Sequence, residues 1–362
     1  VYKRQDQHHS VNDARHEGVI RSVRNFLRSY SIELVLMGVL LAAVAYFAYL
    51  GYGLLTVDLG DEFSGEEALA YVSQQLEYGP RTTGSDASKA MGDWLTNELT
   101  SQEWNVLIQP YGILAPAISA GQAITTSTAD PPSNLSMVQL MGQNIIAIRQ
   151  PDAGGGSAPV AILAAPYDSR VFADADPDVA RHAESSPGAN VGAAGAATLL
   201  EIARTLNDTG HTVCLAFLDS EANRGIPGWQ PPYGSHRFVE QLGNQIEQCA
   251  DPRFAVVLDA VGGLDHQFRV EGGSDPMISS AIWQTADDLG FGQQFVSEIG
   301  PALSGPHNTF IEQGIPTVLI TDHDYLYRNT TADTLDKVSA ESLKRVGMTL
   351  QLWLEQGAPF AQ

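Results

Sequence analysis

Cysteine is scarce: the 362 residues contain two, Cys214 and Cys249. Neither belongs to a CxxC pair or has a histidine in register, so a cysteine-based zinc site is excluded. Outside a reducing compartment the two can form a disulfide; two buried free thiols are the alternative. Basic residues are also few, 20 Lys and Arg against 42 Asp and Glu, for a net charge of −22. That balance excludes nucleic acid as a partner. There is no internal repeat and no sign of a second globular domain. The most informative absence is local. "SSPGANVGAAGAATLLEIARTL", residues 185 to 206, reads as a glycine-rich loop turning into a helix. Its glycines let the backbone approach a ligand closely, yet Asn190 and Val191 at its tip supply neither an acid nor a histidine.

Charge is missing altogether from Leu34 to Leu55, "LVLMGVLLAAVAYFAYLGYGLL", 22 residues long enough to span a bilayer as a helix. Tyr46, Tyr49 and Tyr52 lie toward one end, as in an interfacial aromatic belt. Lys3, Arg4, Arg15, Arg21, Arg24 and Arg28 precede the run, and Asp58, Asp61, Glu62, Glu66 and Glu67 follow it. Positive flanks stay in the cytoplasm. The pattern therefore predicts a cytoplasmic basic segment (1–33), a single transmembrane helix (34–55) and an extracytoplasmic domain (56–362) at the cell membrane. Residues 1–56 hold 6 of the 20 basic and 4 of the 42 acidic residues, so the remainder carries 14 against 38, net −24.

Beyond the anchor, Ser64 and Glu67 read as a capping box opening a helix to about Tyr78. Gly79-Pro80 breaks it, and Ser85 or Asp86 starts a second helix to about Thr100. Strands are expected at 104–111, 144–150, 160–165, 212–219, 254–260, 268–272 and 316–321. Helices are expected at 192–206, 233–248, 277–289 and 339–355, and residues 112–140 read as irregular loop. The run at 160–165 is apolar throughout and those at 212–218 and 316–321 are largely so, as in strands buried on both faces. This alternation predicts an α/β fold with a mostly parallel central sheet and helices on both faces.

In such folds sites form at the carboxyl ends of strands. There the sequence places Pro166-Tyr167-Asp168-Ser169-Arg170, Asp219-Ser220-Glu221-Ala222, Asp259 and Asp322-His323-Asp324. Polar residues converging from four strand ends are a site pattern.

At these residues the chain resembles a family. "YDSR", "SPGANVGAAGAATLLEIARTL", "FLDSEANRGIPGW", "GPHNTFIEQGIPTVLI" and "YRNTTADTLDKVSAESL" are similar to the M28 zinc peptidases, in the branch of bacterial peptidases related to glutaminyl cyclases. "YGPRTTGSDASKAMGDWLTNEL" (78–99) matches the same branch, and the resemblance runs over about residues 65–356. It implies one or two zinc ions and a ligand set that can be carried over position by position. The His-x-Asp pair falls on Pro166 and Asp168, and the bridging Asp falls on Val191. The acidic pair falls on Glu221, the general-base position, and Ala222. The next ligand falls on Asp259, the final histidine on Asn329, and an acid before His307 on Pro306. On that reading Asp259 is the one remaining ligand position, Glu221 and Asp168 are catalytic remnants, and zinc is lost. A catalytic zinc needs about three protein ligands. His307, Trp229 and Asp324 are cleft residues, although His307 can equally be a hydrogen-bonded loop residue and Trp229 a packing residue.

The expected function is a membrane-anchored M28-like pseudoenzyme without a metal cofactor, binding a peptide or protein partner or acting structurally. The alternative is an active zinc aminopeptidase or glutaminyl-peptide cyclotransferase. Glu221 would then be the base, and Asp168, Glu221, Asp259 and His307 or His323 would hold the metal.

Overall fold

The structure, a computed structural model, describes residues 35–46, 62–117, 136–152, 158–229 and 233–360. The chain divides into two units, 1–60 and 61–362. In the first, residues 35–46 are helical. They form the front of the expected span, and residues 47–55 lie outside the described residues. Among the described residues no helix is long and apolar enough to cross a membrane.

The second unit is α/β. After α1 (Gly65–Glu77) and α2 (Asp86–Ser101) come β1 (Asn105–Pro116), β2 (Met137–Arg149) and β3 (Val160–Pro166). Next are α3 (Gly195–Thr205), β4 (Thr212–Leu218), α4 (Gly234–Glu240), β5 (Pro252–Asp259) and β6 (Phe268–Val270). The chain closes with α5 (Pro276–Asp288), β7 (Phe295–Ile299), α6 (Pro306–Glu312), β8 (Thr317–Thr321) and α7 (Ala340–Glu355). The main sheet has the order β1-β2-β4-β3-β5-β8. β4, β3, β5 and β8 are parallel neighbours, whereas β2 joins β4 and β1 joins β2 antiparallel. β3, β4 and β8 are buried at every position. Their alternate side chains serve two cores. Leu163, Leu215, Val256 and Ile320 pack with residues of α1, α2, α3, α5 and α7. Ile162, Cys214, Val257 and Leu319 pack with Phe238 of α4 and Phe310 of α6 on the other face.

Several local expectations are corrected. β1 runs on to Pro116 and β2 begins at Met137, so both ends of the supposed loop 112–140 are strand, paired as a ribbon from Pro110↔Gln143 to Pro116↔Met137. The two ends carry the strand formers Ile113 and Val138, whose signal is masked by the Ala-, Pro- and Ser-rich composition of the stretch as a whole. The expected helix 233–248 ends at Glu240, followed by turns and a 3₁₀ turn at Glu247–Cys249. There Cys249 bonds to Cys214 of β4 in a disulfide with Cα atoms 6.1 Å apart, which settles the pairing left open by the sequence. Strand β7 and helix α6 were not foreseen; β7 pairs parallel with β6 in a separate two-stranded sheet. At the head of α1 only half the capping box forms. Ser64 Oγ accepts the Glu67 amide at 3.3 Å, but the Ser64 amide goes to Glu201 of α3 at 2.8 Å.

The glycine-rich loop becomes a π-type turn at Ala189–Ala194 before α3. Gly192 has φ +104°, and a Cβ there would collide with the Asp168 carbonyl. The turn is gripped from two sides. Arg81, fully buried, donates to the carbonyls of Pro187 (2.7 Å) and Gly188 (2.8 Å). Asp333 accepts the amides of Asn190 (2.8 Å) and Val191 (3.1 Å) and the Tyr325 hydroxyl (2.8 Å). Burial lowers the Arg81 pKa to about 10, with Asp333 and Asp168 limiting the fall.

Two predictions follow from this packing. Arg81→Met removes the donors of two buried carbonyls and a buried charge, and should cost about 3 kcal/mol or more. The melting temperature checks it, with exposed Lys89→Met as the unchanged control. His266 is buried against Phe268, ring centroids 4.3 Å apart, with Nδ1 3.0 Å from the Gly263 carbonyl. Burial lowers its pKa from 6.5 to about 4. A histidine neutral in the fold but protonated when unfolded contributes stability that is complete above the unfolded pKa and lost as pH falls toward the folded one. His266→Phe should therefore weaken the loss of melting temperature on acidification from about pH 6.5 to 4.

Candidate cleft at the strand ends

The carboxyl ends of β3, β4, β5 and β8 bring Pro166, Asp168, Glu221, Ala222, Asp259 and the 322–333 loop to one end of the sheet. Each acid there has internal partners. Asp168 is fully buried two residues past β3 and accepts the amides of Glu221 (3.1 Å) and Ala222 (3.0 Å), pinning the turn after β4. Burial, with repulsion from Asp219 and Glu221, raises its pKa well above the carboxylate range. Asp219, also buried, accepts from Thr83, Ser88, Gln143 and Ser220. Burial raises it to about 6 against the pull of those donors.

Glu221 is 4% exposed. One oxygen accepts Arg224 Nε at 2.7 Å and the other the Ser235 amide at 2.6 Å. Arg224 also donates to Ser235 Oγ and lies over the Tyr233 ring, 4.3 Å from its centroid. Asp259, the last residue of β5, accepts Arg328 Nη1 at 2.8 Å. Arg328 Nη2 turns to Thr321 Oγ1 (3.2 Å) and the Asp322 carbonyl (3.5 Å) at the end of β8. Burial alone would lower the Arg328 pKa; the charge and hydrogen bond of Asp259, with Asp333 and Asp322 farther out, outweigh it and raise it.

The remaining positions divide. Val191 donates its amide to Asp333, and Asn329 stands at φ +58° in the loop after β8. Pro306 starts α6, and His307 follows it, fully buried with Nε2 3.7 Å from Glu271 Oε2. Neither His307 ring nitrogen has a hydrogen-bond partner among the described residues. Burial lowers its pKa, with Glu271 and Asp259 acting the other way. Glu271 is held by the Gly273 and Leu303 amides and Ser274 Oγ. Trp229 packs in an apolar cluster with Ile113, Phe172, Ile226 and Tyr233. It also lines a cavity of about 300 Å³ between Thr83, Pro116, Leu140 and Val171. Asp324 is exposed and paired with Arg269 at 2.8 Å, with His323 beside it at 3.2 Å. A second cavity, about 490 Å³, lies among Leu264, Gln267, Asp322, Tyr325, Leu326 and Tyr327. Among the described residues no three His, Cys, Asp or Glu side chains come together as a metal-binding group. Asp168, Glu221, Asp259 and His307 or His323 therefore do not assemble as the alternative metal set requires.

The sequence reading overlooked Arg81, Arg224, Arg328, Asp333 and Glu271. A signal existed for two of them: Arg224 lies three residues after Glu221, and Arg328 immediately precedes Asn329.

The profile of peptidase family M28 matches residues 144–354. No curated protein gives a match. Among solved structures, a Zn-dependent exopeptidase from Parabacteroides distasonis is 27% identical with a TM-score of 0.69, over 82% of this chain and 99% of its own. Glutaminyl cyclases from Tannerella forsythia (26%, TM-score 0.68, 82% and 99%) and Porphyromonas gingivalis (28%, TM-score 0.68, 82% and 99%) are similar to the same extent. The family profile covers more than half of the chain and falls on the sheet and strand ends just described, and on that ground the chain belongs to peptidase family M28.

Proposed function

We propose that this chain is a membrane-anchored M28 domain that works without zinc, as a binding or structural module for a peptide or protein on the extracytoplasmic side. The observation that carries the reading is the occupation of Asp168, Glu221 and Asp259 by amide and guanidinium donors of the chain itself. A zinc ion does not fit the residues present. Val191 and Ala222 have no donor atoms in their side chains, Pro166 offers none, and Asn329 is a poor zinc ligand. Asp259 alone cannot hold the ion against water. The cavities beside Trp229 and Leu326 are the surfaces on which a peptide chain would lie. The anchor rests on the uncharged run 34–55 and its basic leading flank.

A second reading, an active aminopeptidase or glutaminyl cyclase, is favoured by the solved relatives and by the retained Glu221. Metal dependence separates the two. A ligand present at 100 times its Kd adds about 2.7 kcal/mol to stability. The purified chain should show no fall in melting temperature on adding EDTA and no zinc after dialysis; a fall reversed by zinc would favour the active enzyme. Topology is checked with Glu240→Cys, an exposed position. A membrane-impermeant thiol reagent should label it in intact cells, and labelling only after lysis would reverse the orientation.

A further inference from the structure

The ligand positions that have lost their side chains leave a question of charge. Asp259, Asp322 and Asp333 converge near the ends of β5 and β8, with Asp322 and Asp333 buried and Asp259 partly so, and clustered acids of this kind call for a cation beside them. We infer that the guanidinium of Arg328 is that cation: it occupies, as part of the chain, the electrostatic place a metal ion would take at Asp259, so that the site is closed to zinc rather than merely short of ligands. This rests on the zinc-free reading above and goes past it, because missing ligands alone would leave the site open to repair.

Three observations carry it. Arg328 meets Asp259 in a 2.8 Å charge-assisted hydrogen bond, with the Arg328 side chain 30% and the Asp259 side chain 20% exposed. Its other terminal nitrogen is aimed by Thr321 Oγ1 and the Asp322 carbonyl, so β8 orients the guanidinium. The charges acting on Arg328 are Asp259, Asp333 and Asp322, and Asp333 in turn holds the Val191 and Asn190 amides of the glycine-rich turn. Arg328 thus contacts the surviving acid directly and lies in the field of Asp333, the acid that holds the turn. Arg224 has the same relation to Glu221, at 2.7 Å. A divalent ion placed at Asp259 would have to displace Arg328 and would leave a guanidinium beside a second cation.

The consequence is specific. Val191→Asp, Ala222→Glu and Asn329→His together supply three zinc ligands, enough by count for a first shell. If only ligands were missing, this triple variant would bind zinc. If Arg328 closes the site, it binds weakly until Arg328→Gln is added. The expected result is a zinc affinity about 100-fold tighter in the quadruple variant than in the triple one, read by metal analysis after dialysis against graded chelator. Equal retention by both would overturn the inference. So would absence of zinc from both when circular dichroism and melting show them folded. Zinc in the unmodified chain would instead refute the zinc-free reading itself. Should the multiple variants fail to fold, a double-mutant cycle on the unmodified chain decides. Asp259→Asn should lower the melting temperature in the parent and restore part of it in Arg328→Gln, whereas additive losses would sink the proposal.

Discussion

Asp168 sits wholly buried at the end of β3, with Asp219 and Glu221 close enough to raise its pKa. Three carboxylates in so small a volume repel one another, and desolvation adds to the cost. Much of the architecture at this end of the sheet answers that constraint. Backbone amides of Glu221 and Ala222 close on Asp168, and hydroxyls and amides from α2, β2 and the preceding loop close on Asp219. Arginine joins the Ser235 amide at Glu221 and takes the place of amides at Asp259. The turns after β4 and β5, the start of α4 and the loop after β8 are thereby tied to one charge balance.

The same balance explains the glycine-rich turn. Its amides point at Asp333 and its carbonyls at Arg81, so a loop with no charged side chain at its tip lies between a buried cation and a buried anion. Gly192 is required because Asp168 backs directly onto it. The turn's shape is thus maintained by neighbours more than a hundred residues away on either side in sequence.

Much of the fold was legible because β3, β4, β5 and β8 are buried on both faces, and such strands carry unbroken apolar runs bounded by helices. What escaped were elements stabilised from outside themselves. In the ribbon of β1 and β2 the strand formers Ile113 and Val138 are diluted in sequence by glycine, alanine and proline, β7 exists through β6, and α6 is too short for periodicity to announce it. The helix at 233–248 was read too long: it ends at Glu240, and turns carry the chain on to Cys249, which bonds to Cys214 of β4.

The sequence by itself determined the family resemblance, the strand ends at which Asp168, Glu221 and Asp259 stand, and the identity of Pro166, Val191 and Ala222, whose side chains carry no donor atom. Each of these is a matter of residue identity at a place in an ordered pattern. Only the tertiary structure decided who neutralises the remaining acids. Arg328 is 69 residues from Asp259, and Arg81 is 107 from Gly188. A charge pair across such a separation leaves no local pattern. It exists because parallel strands deliver their carboxyl ends to one edge of the sheet, where distance in space no longer follows distance along the chain.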